Sequence, residues 1–304
     1  MLRVRYVLDK LLCFSRFFLI ILGTSCLWIA IVSCSSLRTK QIQRVPNSLI
    51  PFPAKIASRI DLINKFNQFS KSIDTLKLKV SYELTGGSLE AGEIQRWRES
   101  EGFIILRKPF DVRIIVQAFQ VKVLDMVSDK TQFLIVVPPK NKLIRGLNNQ
   151  VIAPRKDLPV NIRPRHIFEA LAPLPIEKKS FPLISLEENQ EGRKKFYVLS
   201  LHEWQSEGRL SLKRKIWFNR LNLNIAKQKK FSHEGKLETE IAYNDFQKMN
   251  TQIYPKVIHI RRPNDSYSLI IHSETIQING FLENRVFILD KFPSAKEIDL
   301  TKEI

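Results

Sequence analysis

The sequence predicts a mostly β (α+β) domain in which one large, curved antiparallel sheet forms an incomplete barrel. Roughly a dozen short segments alternate apolar and polar residues between turn signals, a pattern typical of antiparallel strands. Two segments with helical periodicity interrupt this series, one before the first strand and one in the middle of the chain. We expect these helices to cover the open side of the sheet.

The N-terminal part of this domain begins with a helix in residues 54–72. Apolar residues recur there at helical spacing, at Ile56, Ile60, Ile63 and Phe66. Residues 76–84 then alternate apolar and polar residues, and Gly86-Gly87 end this first strand. Further strands are predicted at 93–98, 103–107, 111–118, 121–127, 132–137 and 142–145. Several are apolar on both faces, so either both faces are covered or one lines an apolar space.

The middle of the chain breaks the strand pattern. Prolines recur through residues 151–165, and a short helix is predicted at 166–171. A polar insertion at 187–195 precedes the second series of strands, predicted at 196–201, 209–219, 224–231, 236–243, 256–261, 266–278 and 285–289. The folded domain is thus expected to span 54–296, with residues 297–304 as a C-terminal tail.

The first 34 residues have the parts of an export signal. Four basic residues and one acidic residue precede the uncharged apolar run 17–32, and a small residue stands before Cys34. This ending resembles a bacterial lipobox, in which the cysteine is lipidated and becomes the first residue of the mature protein. The alternative is an uncleaved anchor, although the run is shorter than the ~20 residues of a spanning helix. Residues 35–53, polar and rich in proline, are predicted to be a flexible tether.

Composition limits the partners of the exported part. All three cysteines lie within residues 1–34, so thiolate metal sites and disulfides are excluded from the remaining 270 residues. The net charge of +19 includes +3 from the signal, which leaves +16 on the mature part. Such a surplus favours an acidic partner. For a tethered envelope protein we expect an anionic lipid surface rather than nucleic acid, and a monomer.

The sequence contains no pattern of catalytic or metal-binding residues. None of the five histidines has a second histidine or a carboxylate at metal-ligand spacing, and no serine-nucleophile elbow occurs. The acidic residues of 187–191 lie in a polar setting that would not raise a pKa. We therefore predict a non-catalytic protein without a cofactor. An envelope hydrolase would need carboxylates or histidines that converge in the folded chain.

The second half resembles the LolA and LolB family of periplasmic lipoprotein carriers. The resemblance spans about residues 55–293 and is strongest in 213–279 and 284–293. It rests on the order of strand and turn motifs, namely Trp217-Phe218-Asn219, the turn at Gly235, Tyr243-Asn244-Asp245-Phe246, Tyr254-Pro255 and Ile278-Asn279. It implies an incomplete barrel, closed on one side by helices, around an apolar cavity that takes the acyl chains of lipoproteins or lipids.

This resemblance, with the alternation of the strands, leads to a functional hypothesis. The chain is expected to be an outer-membrane-directed lipoprotein that binds acyl chains and acts in their transfer, like a chaperone in protein transport. Anchorage through Cys34 would use an acyl group such as palmitate. The alternative is a structural or adaptor lipoprotein whose cavity is filled. Alternation alone assigns to the cavity wall the residues Leu78, Val80, Tyr82, Trp97, Ile104, Leu106, Ile114, Val116 and Trp217.

Overall fold

The computed structural model describes residues 54–88, 92–148, 161–206, 208–249, 252–290, 292 and 294–302. The predicted signal with Cys34 and the predicted tether lie outside these residues. Within them the chain forms two α-helices, α1 (Arg59–Lys71) and α2 (Pro164–Leu171), and fifteen strands. Among these described residues, no helix is long and apolar enough to span a bilayer.

The strands fall into two series separated by α2. The first series comprises β1 (Thr75–Ser88), β2 (Glu93–Arg96), β3 (Ser100–Arg107), β4 (Asp111–Ala118), β5 (Val121–Ser128), β6 (Gln132–Val137) and β7 (Lys142–Leu147). The second series comprises β8 (Ile184–Glu191), β9 (Lys194–Trp204), β10 (Leu210–Asn219), β11 (Ile225–Phe231), β12 (Leu237–Met249), β13 (Gln252–Arg262), β14 (Tyr267–Ile278) and β15 (Lys296–Asp299).

All fifteen strands belong to one curved sheet that does not close. Its order is β15-β7-β6-β5-β4-β3-β1-β14-β13-β12-β11-β10-β9-β8, and β2 pairs with the far end of β1. Long antiparallel β1–β14 pairing joins the two series, and β15 adds to β7 in parallel. The predicted fold class, an incomplete barrel with an N-terminal helix and a middle helix, is therefore confirmed.

Helix α1 is defined by its cap and by one apolar face. Ser58 and Asp61 form a capping box, in which each residue's side chain accepts a hydrogen bond from the backbone N–H of the other. Leu62, Ile63 and Phe66 are fully buried in the main core. This core lies on the inner face of the sheet, so α1 closes part of the open side.

Four segments differ from the prediction. Residues 297–299 of the expected C-terminal tail belong to strand β15, which pairs with β7. Residues 184–191 form the edge strand β8, although 187–195 is predicted as an insertion, because an edge strand exposed to water needs few apolar residues. Residues 284–287 form a 3-10 turn in place of the strand predicted at 285–289. Strand β13 starts at Gln252, before the predicted start at residue 256. Pro255 has no backbone N–H to donate, but pairing with β14 begins only at Val257, so the β13–β14 ladder loses no hydrogen bond.

Candidate functional site

An apolar cavity of about 230 Å³ lies between the inner face of β1 and β4–β6 and helix α2. Its wall is built from aliphatic and aromatic side chains, and Ile167 of α2 closes the side opposite the sheet. The polar side chains in the wall come from Arg98, Ser100 and Lys140, apart from the Tyr82 hydroxyl. Among the described residues, none that is acidic contributes to the wall.

The cavity is graded from a dry floor to an accessible mouth. Strand register places Ile114, Met126 and Ile135 in one row across β4, β5 and β6, and these side chains are only 1–3% exposed. The next row towards the ends of β4 and β6 holds Val116, Leu124 and Val137. The side chains of this second row are half-buried. The cavity therefore opens at the strand ends that carry the β4–β5 and β6–β7 turns.

The two charged residues of the wall lie on exposed turns. Arg98 is exposed between β2 and β3, and its guanidinium carbon lies 4.9 Å from the ring centroid of Phe119. Lys140 is exposed in the 3-10 turn between β6 and β7. Asn141 fixes that turn, since its side-chain amide donates to the carbonyl oxygen of Ser294 at 2.7 Å. The two cations thus belong to the exposed part of the wall, and its floor is apolar.

Helix α2 is bound to the second series of strands by polar contacts. The Tyr243 hydroxyl donates to the carbonyl oxygen of Ala170 at 2.9 Å, and the Tyr254 hydroxyl donates to that of Leu171 at 3.0 Å. Both carbonyls belong to the last turn of α2, whose oxygens have no partner within the helix. Glu169 forms an ion pair with Lys230 of β11. Towards β4–β6, in contrast, α2 presents Ile167 to the cavity.

The structure separates the residues assigned to the cavity from sequence into three groups. Four line the cavity, namely Tyr82, Trp97, Ile114 and Val116. Leu78, Val80, Ile104 and Leu106 lie on the same inner face but are fully buried in the main core. They occupy the part of β1 and β3 nearest α1, and they do not border the cavity.

Trp217 lies on the opposite face of the sheet. Its neighbours on β10, Ile216 and Phe218, belong to the main core, whereas Trp217 packs with Phe196 and Val198 in a separate small cluster. The ammonium nitrogen of Lys227 lies 4.6 Å from the centroid of its ring. This geometry is that of a cation–π contact on the outer surface.

A second groove, of about 720 Å³, lies on the other side of α2 and is lined by both apolar and charged side chains. Several of its charged residues are paired: Glu203 contacts Lys213, and Glu169 contacts Lys230 and Arg165. Although burial raises the pKa of Glu169, these cations lower it to about 2. Burial also lowers the pKa of Arg214 to about 10. Glu169 and Arg214 thus keep their charges at neutral pH and are not poised for proton transfer.

In the described ranges, no group of three or more His, Cys, Asp or Glu side chains could hold a metal ion. Sequence reasoning missed the other twelve lining residues, among them Met126 and Ile135 of the floor, Leu124 and Val137 of the second row, Ile167 of α2, and the cations Arg98 and Lys140. The apolar ones follow from strand register, which only the folded chain fixes. The cations stand in turns, where no periodicity marks them.

Comparison with known proteins gives distant structural likenesses. No family model and no curated protein matches the chain. Among similar solved structures, a LolA superfamily protein from Nitrosomonas europaea is 11% identical, with a TM-score of 0.48 over 77% of this chain and 99% of its own. A DUF1329 family protein from Desulfovibrio piger is 11% identical, with a TM-score of 0.47 over 75% of this chain and 95% of its own.

A domain from Vibrio parahaemolyticus that is named for outer membrane lipoprotein sorting is 8% identical. Its TM-score is 0.48 over 75% of this chain and 95% of its own. The family that the sequence resembles is thus found among the similar structures.

Proposed function

We propose that this chain is an exported, lipid-anchored carrier that holds one acyl chain in the cavity beneath α2. The observation that supports this most directly is the gradient of the wall, from the dry row of Ile114, Met126 and Ile135 to the accessible row of Val116, Leu124 and Val137. Such a gradient suits an acyl chain, because its methyl end is most stable at the driest point while its polar head group stays in water. No catalytic group takes part.

Hydrophobic transfer supplies the binding energy. Each methylene removed from water contributes ~0.8 kcal/mol, so eight methylenes give ~6 kcal/mol before the cost of association. That amount holds a ligand and still allows release to a membrane, where the same methylenes are equally dry. A carrier of this kind transfers its ligand down a gradient of affinity and needs no chemical energy.

The attachment of α2 indicates how the ligand enters. Tyr243 and Tyr254 hold the last turn of the helix to β12 and β13 through hydrogen bonds, whereas Ile167 meets the cavity through an apolar side chain. Apolar contacts can be exchanged for contacts with an alkyl chain at little cost. We propose that entry parts α2 from β4–β6 and leaves it bound to the second series of strands.

Cys34 and the tether place this carrier in the cell envelope. Lipidation of Cys34 would anchor the mature chain to a membrane, and residues 35–53 would give the folded domain reach above its surface. The net charge of +16 on the mature part would favour an anionic lipid surface and disfavour release from it. Outer-membrane location and transfer of lipoproteins or lipids are part of this proposal.

One observation favours the alternative, a structural or adaptor lipoprotein. The cavity of about 230 Å³ is smaller than the ~300–1,000 Å³ that is typical of ligand sites. Tyr82 and Trp97 occupy part of the space between the sheet and α2. In this alternative the remaining volume is a packing defect and no ligand enters.

Native mass spectrometry of the mature protein, purified from an envelope fraction, distinguishes the two functions. A carrier retains about one lipid or acylated peptide per chain, which is released on denaturation and identified by lipid extraction. The N-terminal peptide of the same sample shows whether Cys34 is acylated. A ligand-free mass that stays unchanged after addition of fatty acid, alkanol and lipopeptide would contradict the carrier function and favour the adaptor.

A further inference from the structure

We propose that the cavity selects a single-chain amphiphile with an anionic head, such as a long-chain carboxylate, through Arg98 and Lys140. This inference rests on the proposed function, since it concerns the head of a ligand whose tail lies in the apolar cavity. Both cations contribute to the wall, and the two come from different turns. Neither is needed for the apolar cavity itself.

The position of the two cations suits contact with the charged head of an amphiphile and not with its alkyl tail. The residues of the floor are nearly inaccessible, whereas Arg98 and Lys140 are exposed. A charged head that stays in the accessible part of the slot keeps most of its hydration, so its burial costs little. The Ser100 hydroxyl in the same wall adds a neutral polar group.

The charge of the wall has one sign. The sixteen wall residues that the structure describes include two cations and no carboxylate. Elsewhere on the chain, lysines and arginines are regularly paired, as Lys215 is with Glu187 and Lys227 with Glu191. Among the described residues, no carboxylate lies within ion-pair distance of Arg98 or Lys140. An anionic head would therefore gain two cations without displacing an acidic side chain.

The anchoring of the Lys140 turn supports this role. Asn141 adopts a left-handed conformation with φ of 49°, and its side chain holds the carbonyl oxygen of Ser294. The backbone at Lys140 is thus fixed relative to the end of β6, where Val137 lines the cavity. On the other side, the stacking of Arg98 on Phe119 limits the space that its guanidinium explores. The backbone of Lys140 and the guanidinium of Arg98 thus begin from restrained positions, which reduces the entropy lost on binding.

Competition between ligands with one tail and different heads tests the inference. Dodecanoate, dodecanol and dodecylammonium would each displace the neutral probe N-phenyl-1-naphthylamine from the full chain at pH 8 and low salt. We expect dodecanoate to bind about 3–10-fold more tightly than dodecanol, and dodecylammonium more weakly than both. The preference should shrink as salt screens the charges.

Variants assign the preference to the two cations. Arg98→Gln and Lys140→Gln should each lower the affinity for dodecanoate, and the double variant should bind dodecanoate and dodecanol equally, with its affinity for dodecanol unchanged. Lys77→Gln, which removes the same charge from an exposed position of β1, is the matched control and should keep the wild-type preference.

The outcomes separate this inference from the proposed function. Equal affinities for the three ligands, or a preference that persists in the double variant, would overturn the role of Arg98 and Lys140 and leave the acyl cavity standing. Failure of all three ligands to displace the probe, or to bind in direct titration, would contradict the acyl cavity itself. Circular dichroism of each variant confirms that the fold is retained.

Discussion

The ring of Tyr82 lies across Gly102, at the one position of β3 where the inner face has no side chain. A Cβ atom at Gly102 would stand 3.1 Å from Tyr82 Cε2 and 1.9 Å from the carbonyl oxygen of Ile115. The Tyr82 hydroxyl donates to the carbonyl oxygen of Phe103 at 3.1 Å. Glycine thus lets the tyrosine lie against the sheet, where it forms part of the cavity wall.

Substitution Gly102→Ala should destabilise the domain, because the new methyl group overlaps the backbone of β4. We expect the free energy of unfolding to fall by ~1–3 kcal/mol, as for other overpacked cores. Urea denaturation measures this change. Glu101→Ala, an exposed neighbour on β3, is the control and should stay within ~0.5 kcal/mol of wild type. Equal stability of the two variants would show that β3 and β4 can separate without cost.

Removing the hydroxyls that hold α2 should loosen this helix. Tyr243→Phe and Tyr254→Phe leave the buried carbonyl oxygens of Ala170 and Leu171 without these donors, at a cost of ~1–3 kcal/mol for each variant. Hydrogen exchange in α2 should become faster than in wild type. Tyr197→Phe, whose hydroxyl contacts Lys55 instead, is the matched control. Unchanged exchange in α2 would mean that apolar packing alone holds the helix.

Stability should decline as the pH falls below about 6.5, because of His166. Burial, with the charges of Arg262 and Arg163, lowers its pKa well below the ordinary 6.5. Glu169 opposes this shift and Lys230 adds to it, and the imidazole Nδ1 lies 3.0 Å from the hydroxyl oxygen of Tyr267. Between the pKa of His166 in the folded chain and that in the unfolded chain, the unfolded chain therefore binds more protons. The stability of the fold decreases as the pH is lowered through that window.

Urea midpoints at pH 7.5 and pH 5.5 measure this loss. The decline should be smaller in His166→Gln than in wild type. Burial also lowers the pKa of His259, in the same direction, so His259→Gln measures the share of that second histidine. A decline of wild-type size in both variants would place the pH dependence in other groups.

Much of the fold follows from the sequence because most strands have one wet and one dry face. Strands β4 and β6, which are apolar on both faces in part, also have the bounds predicted from the sequence. Strand β8 lacks such a pattern of wet and dry faces, since it is an edge strand whose charged residues pair across the surface, as Glu187 does with Lys215. Strand β15 is short and pairs with distant β7, which no local pattern reveals.

The candidate site is less predictable, since alternation distinguishes two faces of a strand but does not say what covers each face. Val80 and Tyr82 share the inner face of β1 and both belong to the main core, yet only Tyr82 borders the cavity. Alternation also does not distinguish Trp217 from a residue of the inner face, although Trp217 lies on the outer face. Position along the strand, relative to α1 and α2, decides between these environments.

The central claim is that an alkyl chain enters between Val116 and α2, and a matched pair of variants tests it. Val116 lies in the half-buried second row, whereas Val121, on the neighbouring strand, is 63% exposed and outside the cavity. The affinity for dodecanol, measured by displacement of a neutral fluorescent probe, is the deciding quantity. We predict at least a tenfold loss in Val116→Trp, which fills the mouth, and wild-type affinity in Val121→Trp. Wild-type affinity in both variants, with both folded, would contradict the claim.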